Sequence, residues 1–229
     1  MIPSLASEYK IVLMNTSFSV VAQFDSLISC NYTKKVNDVG SFSLSLNAGD
    51  PRCDLFTLDA IVLIYRRLPG LNVDWYIDFV GLHRSISYDL SDEGKYIFSS
   101  TGVCPNDFLS RTIINYPAAP EKSFKGNVAA VSAETAMKEF TEENCGYSAT
   151  VANGREASGV LPNFTVEATT GASPLWEGDR AYQVLLTVLQ EISKSSGMDF
   201  AVTYTDTTPG WLFKVYMTKI GVDRTTNGI

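Results

Sequence analysis

The sequence predicts an α+β protein in which an antiparallel β-barrel comes first and the helices come late. Three observations carry this. In the first half, apolar residues alternate with polar ones or gather in short β-branched runs, the patterns of half-buried and core strands. Turn residues interrupt those runs at short spacing, which suits a closed barrel or sandwich. The clearest helical patterns fall after residue 130, with apolar positions three and four apart. The expected division is a β-barrel domain over 1–112 and an α+β domain over 113–229, the latter with helices near 132–144 and 180–196 and a C-terminal β-hairpin.

The elements follow in order. Tyr9 to Met14 and Phe18 to Phe24 read as short strands, and Leu27 to Lys34 as a third. In Ser41 to Asn47, Phe42, Leu44 and Leu46 alternate with Ser43 and Ser45, giving one buried and one wet face. Val36-Asn37-Asp38-Val39-Gly40 between them is turn chemistry. Asp50 to Phe56 is a loop or a single helical turn. Asp59 to Leu68 is a strand, turned by Pro69-Gly70-Leu71-Asn72 into a long aromatic strand, Trp75 to Leu90. Ser91-Asp92-Glu93-Gly94 is a turn with Gly at a position suited to positive φ, and Lys95 to Val103 is the return strand. Pro105, Asn106 and Asp107 open a short helix through Phe108, Leu109 and Ile113.

After Arg111 the composition changes. Tyr116 to Lys122 is linker-like, with Pro117 and Pro120. Ser132 caps a helix presenting Ala133, Ala136, Met137 and Phe140 on one face, with Gly146 as its stop. Gly146 to Gly178 reads as extended loop, with Asn163 to Val166 as an edge strand; a loop of that length is usually functional or packed on a partner. Asp179 caps the second helix, whose apolar positions are Tyr182, Leu185, Leu186, Leu189 and Ile192 and whose stop is Gly197. Asp199 to Tyr204, the turn Thr207 to Gly210, and Trp211 to Thr218 form the last hairpin.

Composition excludes several function classes. The 229 residues are 45% hydrophobic and 19% charged, which is ordinary for a folded chain. Lys plus Arg number 18 against 25 Asp plus Glu, a net charge of −7 without a basic run; this disfavours gripping nucleic-acid phosphate or an anionic membrane. No apolar run approaches the roughly 20 residues of a membrane span; the longest is Ala60 to Tyr65. The opening MIPSLASEYK lacks the basic and apolar blocks of a secretory signal. Cys30, Cys53, Cys104 and Cys145 lie far apart without a CxxC pair, and are expected to be reduced, mostly buried residues.

Several of these stretches resemble one family. Phe79-Val80-Gly81-Leu82, the Asp92-Glu93-Gly94 turn, Gly102 and Leu109-Ser110-Arg111-Thr112-Ile113 are similar, in that order, to a run found in the tail hub proteins of long-tailed phages, the baseplate-hub and tail-tip proteins. Gly40-Ser41-Phe42-Ser43-Leu44-Ser45-Leu46 resembles a second block. The helix followed by Ser196-Gly197-Met198-Asp199-Phe200 and a strand pair resembles a third. The resemblance implies a tail-tube-like barrel, an α+β region and a homotrimeric ring. It also implies a structural virion protein joining the tail tube to the tail tip, assembled in the host cytoplasm with other tail proteins, and a family pattern that continues into a second barrel. An acidic lumen would let DNA pass without holding it.

No catalytic, cofactor or metal set is expected. His83 is the only imidazole; on a strand beside Arg84 it reads as a surface or interface residue rather than a base. Asp89, Asp92 and Glu93 around one turn read as a solvated tip rather than a cation site. The close carboxylates Glu142 with Glu143, and Glu177 with Asp179, read as helix-end charge rather than a glycosidase pair. The candidate site is therefore an interface. Arg66, Arg67 and Leu71 mark one contact, since Arg is enriched in interfaces; Val160, Leu161, Phe164, Leu175 and Trp176, on the long loop, mark another. Two rival functions follow from the same residues: a tail-associated cell-wall hydrolase, and a carbohydrate- or host-receptor-binding module using Trp176.

Overall fold

The computed structural model describes residues 7–71, 73–90, 94–115, 130–171, 174–178 and 180–220, with Leu71 described by its backbone alone. The expected linker over 116–122, most of the turn at 91–94, the Asp179 cap and the tail from 221 lie outside the described residues.

The chain forms two compact units. One comprises Met1–Lys35 and Val39–Pro105; the other comprises Val36–Asp38 and Asn106–Ile229. Asn106 onward belongs to the second unit, in which Phe108 packs its ring against Phe164 and Trp211.

The first unit contains seven antiparallel strands: β1 (Glu8–Met14), β2 (Val20–Phe24), β3 (Ser29–Thr33), β4 (Ser41–Asn47), β5 (Ile61–Leu68), β6 (Val73–Leu90) and β7 (Tyr96–Val103). Their order across the sheet is β2-β1-β5-β6-β7-β4-β3. β6 is the hinge of this arrangement. Its residues 73–82 pair with β5, and its residues 82–90 pair with β7. A bulge between His83 and Ser85 separates the two ladders; an extra residue there bends the strand and raises its twist. The sheet folds over on this bend, so that Ile11, Leu13, Phe24, Val62, Ile64 and Phe79 of one ladder share a core with Phe42, Leu44, Leu46 and Phe98 of the other. A short 3₁₀ turn, Pro51–Leu55, with Phe56 after it, adds Cys53 and Phe56 to that core. The end strands β2 and β3 are not paired with each other among the described residues; the sheet is curled, and closure into the expected barrel is not seen.

Gly81 and Gly102 explain how the ladders come close. A Cβ on either would overlap the ring of Phe42, and one on Gly102 would also strike the carbonyl of Leu82. Glycine within a strand marks such close approaches.

The second unit is built from α1 (Asp107–Ser110), β8 (Val131–Ser132), α2 (Ala133–Glu142), β9 (Phe164–Val166), β10 (Leu175–Trp176), α3 (Leu185–Ser196), β11 (Asp199–Thr205) and β12 (Gly210–Tyr216). Ser132 caps α2, its Oγ accepting from Thr135 N at 3.1 Å. α3 buries Leu185, Leu186, Val188, Leu189 and Ile192 and ends at Gly197, whose φ of 75° is the left-handed cap glycine permits. It begins later than the expected 180. Tyr182 and Gln183 are tied to another segment instead: Tyr182 N donates to Ile114 O at 2.8 Å and Ile114 N to Gln183 O at 3.0 Å. Tyr182 accordingly lies exposed at φ 54°, off the helix face where its spacing had put it.

β11, β12 and β9 form a three-stranded sheet in which β9 runs parallel to β12. The outer edge of β11 is closed by two side-chain amides. Phe200 N donates to Asn37 Oδ1 at 2.7 Å and Val202 N to Asn106 Oδ1 at 2.8 Å. Asn37 Nδ2 in turn donates to Ser193 Oγ and Asp199 Oδ1, each at 2.7 Å, and Asn106 Nδ2 to Asp38 O at 3.0 Å. Asn37 adopts φ 56°, a conformation asparagine tolerates better than most residues.

Candidate functional site

All the predicted interface side chains but that of Leu71 are described. Arg66 and Arg67 end β5 and are engaged within their own unit. Arg66 donates to Ser7 Oγ at 2.9 Å and stands 3.6 Å from Asp78. Arg67 donates to Glu8 Oε2 at 2.7 Å and lies over the Trp75 ring at 4.8 Å, where Lys10 also approaches at 5.0 Å. These residues form a cation–aromatic ladder on one end of the sheet, with Tyr65 beneath Lys10 at 4.9 Å. The side chain of Leu71 lies outside the described residues.

Asp78 anchors the neighbouring cluster. Tyr32 Oη and Lys34 Nζ both donate hydrogen bonds to it. Burial alone would raise its carboxyl; the hydrogen bonds from Lys34 and Tyr32, with the charges of Lys34 and Arg66, outweigh this and hold it below the usual carboxylate range. Burial, and then the same carboxylate, push the Tyr32 hydroxyl upward.

The long loop folds back on its own unit. Leu161 N donates to Cys145 O at 2.9 Å, Gly159 N to Ala149 O at 2.8 Å, and the 164–166 and 175–176 segments become strands β9 and β10. Phe164 is 0% exposed, its ring 6.4 Å from that of Phe108; the expectation that it faces a partner is corrected, because strand pairing turned it inward. Val160 and Leu161 come together with Phe108, Ile113, Arg111 and Arg155 around a cleft of about 430 Å³. Trp176 is half-buried against Phe140, ring centroids 5.8 Å apart. Leu175 alone of these side chains is exposed.

His83 also departs from expectation. It is 3% exposed, with Nδ1 at 2.8 Å from Ser100 Oγ and the ring edge-on to Phe56 at 5.5 Å. Ser100 lies on β7 two residues from Gly102, the register partner of His83, and is itself fully buried. Glu134 and Lys138 form a buried ion pair at 2.6 Å, and Glu134 accepts from Thr170 N and Oγ1, so these charges fasten the loop to α2. Among the described residues no group of His, Cys, Asp and Glu side chains could hold a metal, and no helix is long and apolar enough to cross a membrane.

One surface was missed. Beyond the bulge, β6 runs on beside β7, which keeps β4 on its other side, and the 85–90 edge of β6 has no strand on its outer side among the described residues. Its polar face carries Ser85, Ser87 and Asp89. Its other face carries Ile86, Tyr88, Leu90 and Tyr96, exposed by 48%, 43%, 71% and 55%. This apolar face continues the core, for Tyr88 packs on Phe98 at 5.4 Å and stacks with Tyr96 at 5.7 Å. The alternation was readable in the sequence; that its side chains stay exposed among the described residues was not.

The family described as Siphovirus ReqiPepy6 Gp37-like protein matches residues 10–228. No curated protein matches the chain. Among solved structures, a tail protein from Neisseria meningitidis MC58 is similar at 10% identity and a TM-score of 0.49, over 90% of this chain and 50% of that one. The E. coli c3393 protein, a component of the type VI secretion system, is similar at 9% identity and a TM-score of 0.44, over 95% and 47%. A Francisella PdpA-VgrG complex is similar at 10% identity and a TM-score of 0.46, over 98% and 30%. The chain spans half the length of these structures or less.

Proposed function

The chain belongs to the Siphovirus ReqiPepy6 Gp37-like protein family, and from that premise we propose that it is a structural, non-enzymatic part of a phage tail, namely the hub that joins the tail tube to the tail tip as a ring of three copies. The observation that carries the reading is the unpaired 85–90 edge of β6 at the far end of the β6–β7 pair. It offers an open strand edge and a continuous apolar face at once, and a lone chain in water gains nothing from either. In a ring, heterologous contacts of this kind close when the rotation between copies is right. The hairpin lies across the next copy, its 85–90 edge takes a neighbouring strand, and Ile86, Tyr88, Leu90 and Tyr96 are covered. Closure of the curled sheet into a barrel belongs to the same reading, with the ring completing what one copy leaves open. Leu175, Val160 and Leu161 are the second contact, toward other tail proteins. An acidic bore, set by the −7 charge, suits passage of DNA without retention.

Electron microscopy of the assembled particle tests this directly. A ring of this chain at the tube–tip junction, with the hairpin against its neighbour, is the expected result. A single copy at that place, or a hairpin facing solvent, overturns the reading.

A further inference from the structure

We infer that the cleft walled by Phe108, Arg111 and the 155–161 loop receives the C-terminal residue of a partner tail protein, an apolar residue bearing its free carboxylate. The inference rests on the reading above, in which Val160 and Leu161 meet other tail proteins, and names what they meet. All the described residues lining the cleft belong to the second unit. Its walls are tied together by Arg155, which is 8% exposed. That guanidinium donates to Asn144 Oδ1 just past α2, to Ala157 O at 3.1 Å in the loop, and to Ile113 O at 3.4 Å beyond α1. Gly159 lies flat against it, where a Cβ would come within 3.0 Å of Cζ and 2.4 Å of Asn144 O. The cleft, about 430 Å³, is therefore built before anything enters it, which lowers the ordering cost of binding.

Three features of the lining specify the occupant. Phe108, Val160 and Leu161 offer apolar surface. Asn115 offers an acceptor. Its Nδ2 donates to Glu156 Oε2 at 3.2 Å, which fixes the way the amide faces. Its Oδ1 is buried and has no hydrogen-bond partner among the described residues; a buried acceptor of this kind calls for a donor. Arg111 offers positive charge. Its Nε stands 3.0 Å from Asp107 Oδ2, but its side chain is 50% exposed and that of Asp107 16%, so the pair turns its cationic end outward. Among the described residues, the charged side chains lining the cleft are both arginines, in a chain whose net charge is −7. An apolar side chain, an N–H donor and a carboxylate complement these three features. The last residue of a chain carries all of them at once, and capture of a terminal carboxylate is a recurring mode of peptide recognition. An internal segment needs an apolar and an acidic residue side by side to supply the same set.

The test is an NMR titration of the isotope-labelled intact chain with N-acetyl-leucine at neutral pH, whose small size sets an affinity in the millimolar range. Saturable shifts are expected at the amides of 111–115 and 158–161. N-acetyl-leucinamide, without the charge, should bind about two- to fivefold more weakly, the worth of a part-exposed ion pair. N-acetyl-alanine should bind about tenfold more weakly, for want of apolar contact. Arg111→Gln should erase the difference between acid and amide while keeping the preference for leucine. No saturable shift at these amides, or equal binding of acid and amide by the native chain, overturns the inference. So does tighter binding of acetyl-aspartyl-leucinamide, which would assign the cleft to an internal acidic segment. Shifts at the same amides on concentrating the protein alone would assign it to a second copy and overturn it too. The ligand arms stand whether or not the variant folds. Ring formation is read separately, from the mass of the chain without these ligands, so either reading can fail alone.

Discussion

A single ring, that of Phe42, sets how close the strands of the first unit can come. It rests where two glycines on neighbouring strands leave room, and it meets Phe79 edge-on at 6.1 Å. Replacing Gly102 by Ala is expected to destabilise the unit by about 1–3 kcal/mol, the usual cost of overpacking, because the obstructing Leu82 carbonyl is backbone and cannot rotate away. Urea unfolding of the variant measures this, and a loss below about 0.5 kcal/mol would contradict it. Asp78 makes a second residue-scale prediction. Its carboxyl is held down in the folded state, so its stabilising effect is present above the ordinary carboxylate value and is lost as pH falls through the depressed one. Asp78→Asn should be less stable than the native chain near neutrality, and the gap should narrow in strong acid; parallel denaturation curves across pH would refute it. Phe42, Gly81 and Gly102 were each legible as letters of a pattern. Their meeting at one point was not, since it depends on which strands the fold places side by side.

Among the elements, the helices show what periodicity reads well and what it misses. The buried face of α3 holds Leu185, Leu189 and Ile192, as their spacing predicts. Leu189→Ala should cost about 2–5 kcal/mol, the range for emptying a packed leucine site, and thermal or urea unfolding will measure it. The start of α3 was misread because Tyr182 and Gln183 fit a helical repeat, yet their backbone groups bond to the Thr112–Ile114 segment; long-range pairing overrides local spacing there. The cap of α2 was legible, and Ser132→Ala should remove about 0.5–2 kcal/mol. The 146–178 segment was the least legible stretch. Its order comes from backbone hydrogen bonds between residues distant in sequence and from the buried Glu134–Lys138 pair, none of which leaves a periodic trace.

For the whole molecule, the decisive quantity is the state of association. Under the ring proposal, sedimentation velocity of the purified chain should show an oligomer, three copies at saturation. Leu90→Ser combined with Tyr96→Thr should return it to a monomer while lowering its melting transition only modestly, since both side chains are largely exposed and only the Tyr88–Tyr96 stack is given up. A monomeric native chain under conditions where the tail assembles would count against the ring, and a double variant that unfolds would show the hairpin to be structural instead. The acidic composition argues against a nucleic-acid partner; the proposed partner surface was not legible, because it depends on β6 running on past its pairing with β5.

The two amides along β11 also set how the protein should age. Asparagine is among the thermolabile residues, and hydrolysis of the Asn37 amide leaves a carboxylate, which only accepts hydrogen bonds. The new anion would face Asp199, to which the amide now donates, and repulsion would draw the turn away from Phe200 and bare a strand edge of the sort that recruits other chains. Stored protein should therefore gain one unit of negative charge before it turns cloudy, and charge-resolved electrophoresis beside light scattering would show the two events in that order. Asn37→Asp should start its life already at the later stage.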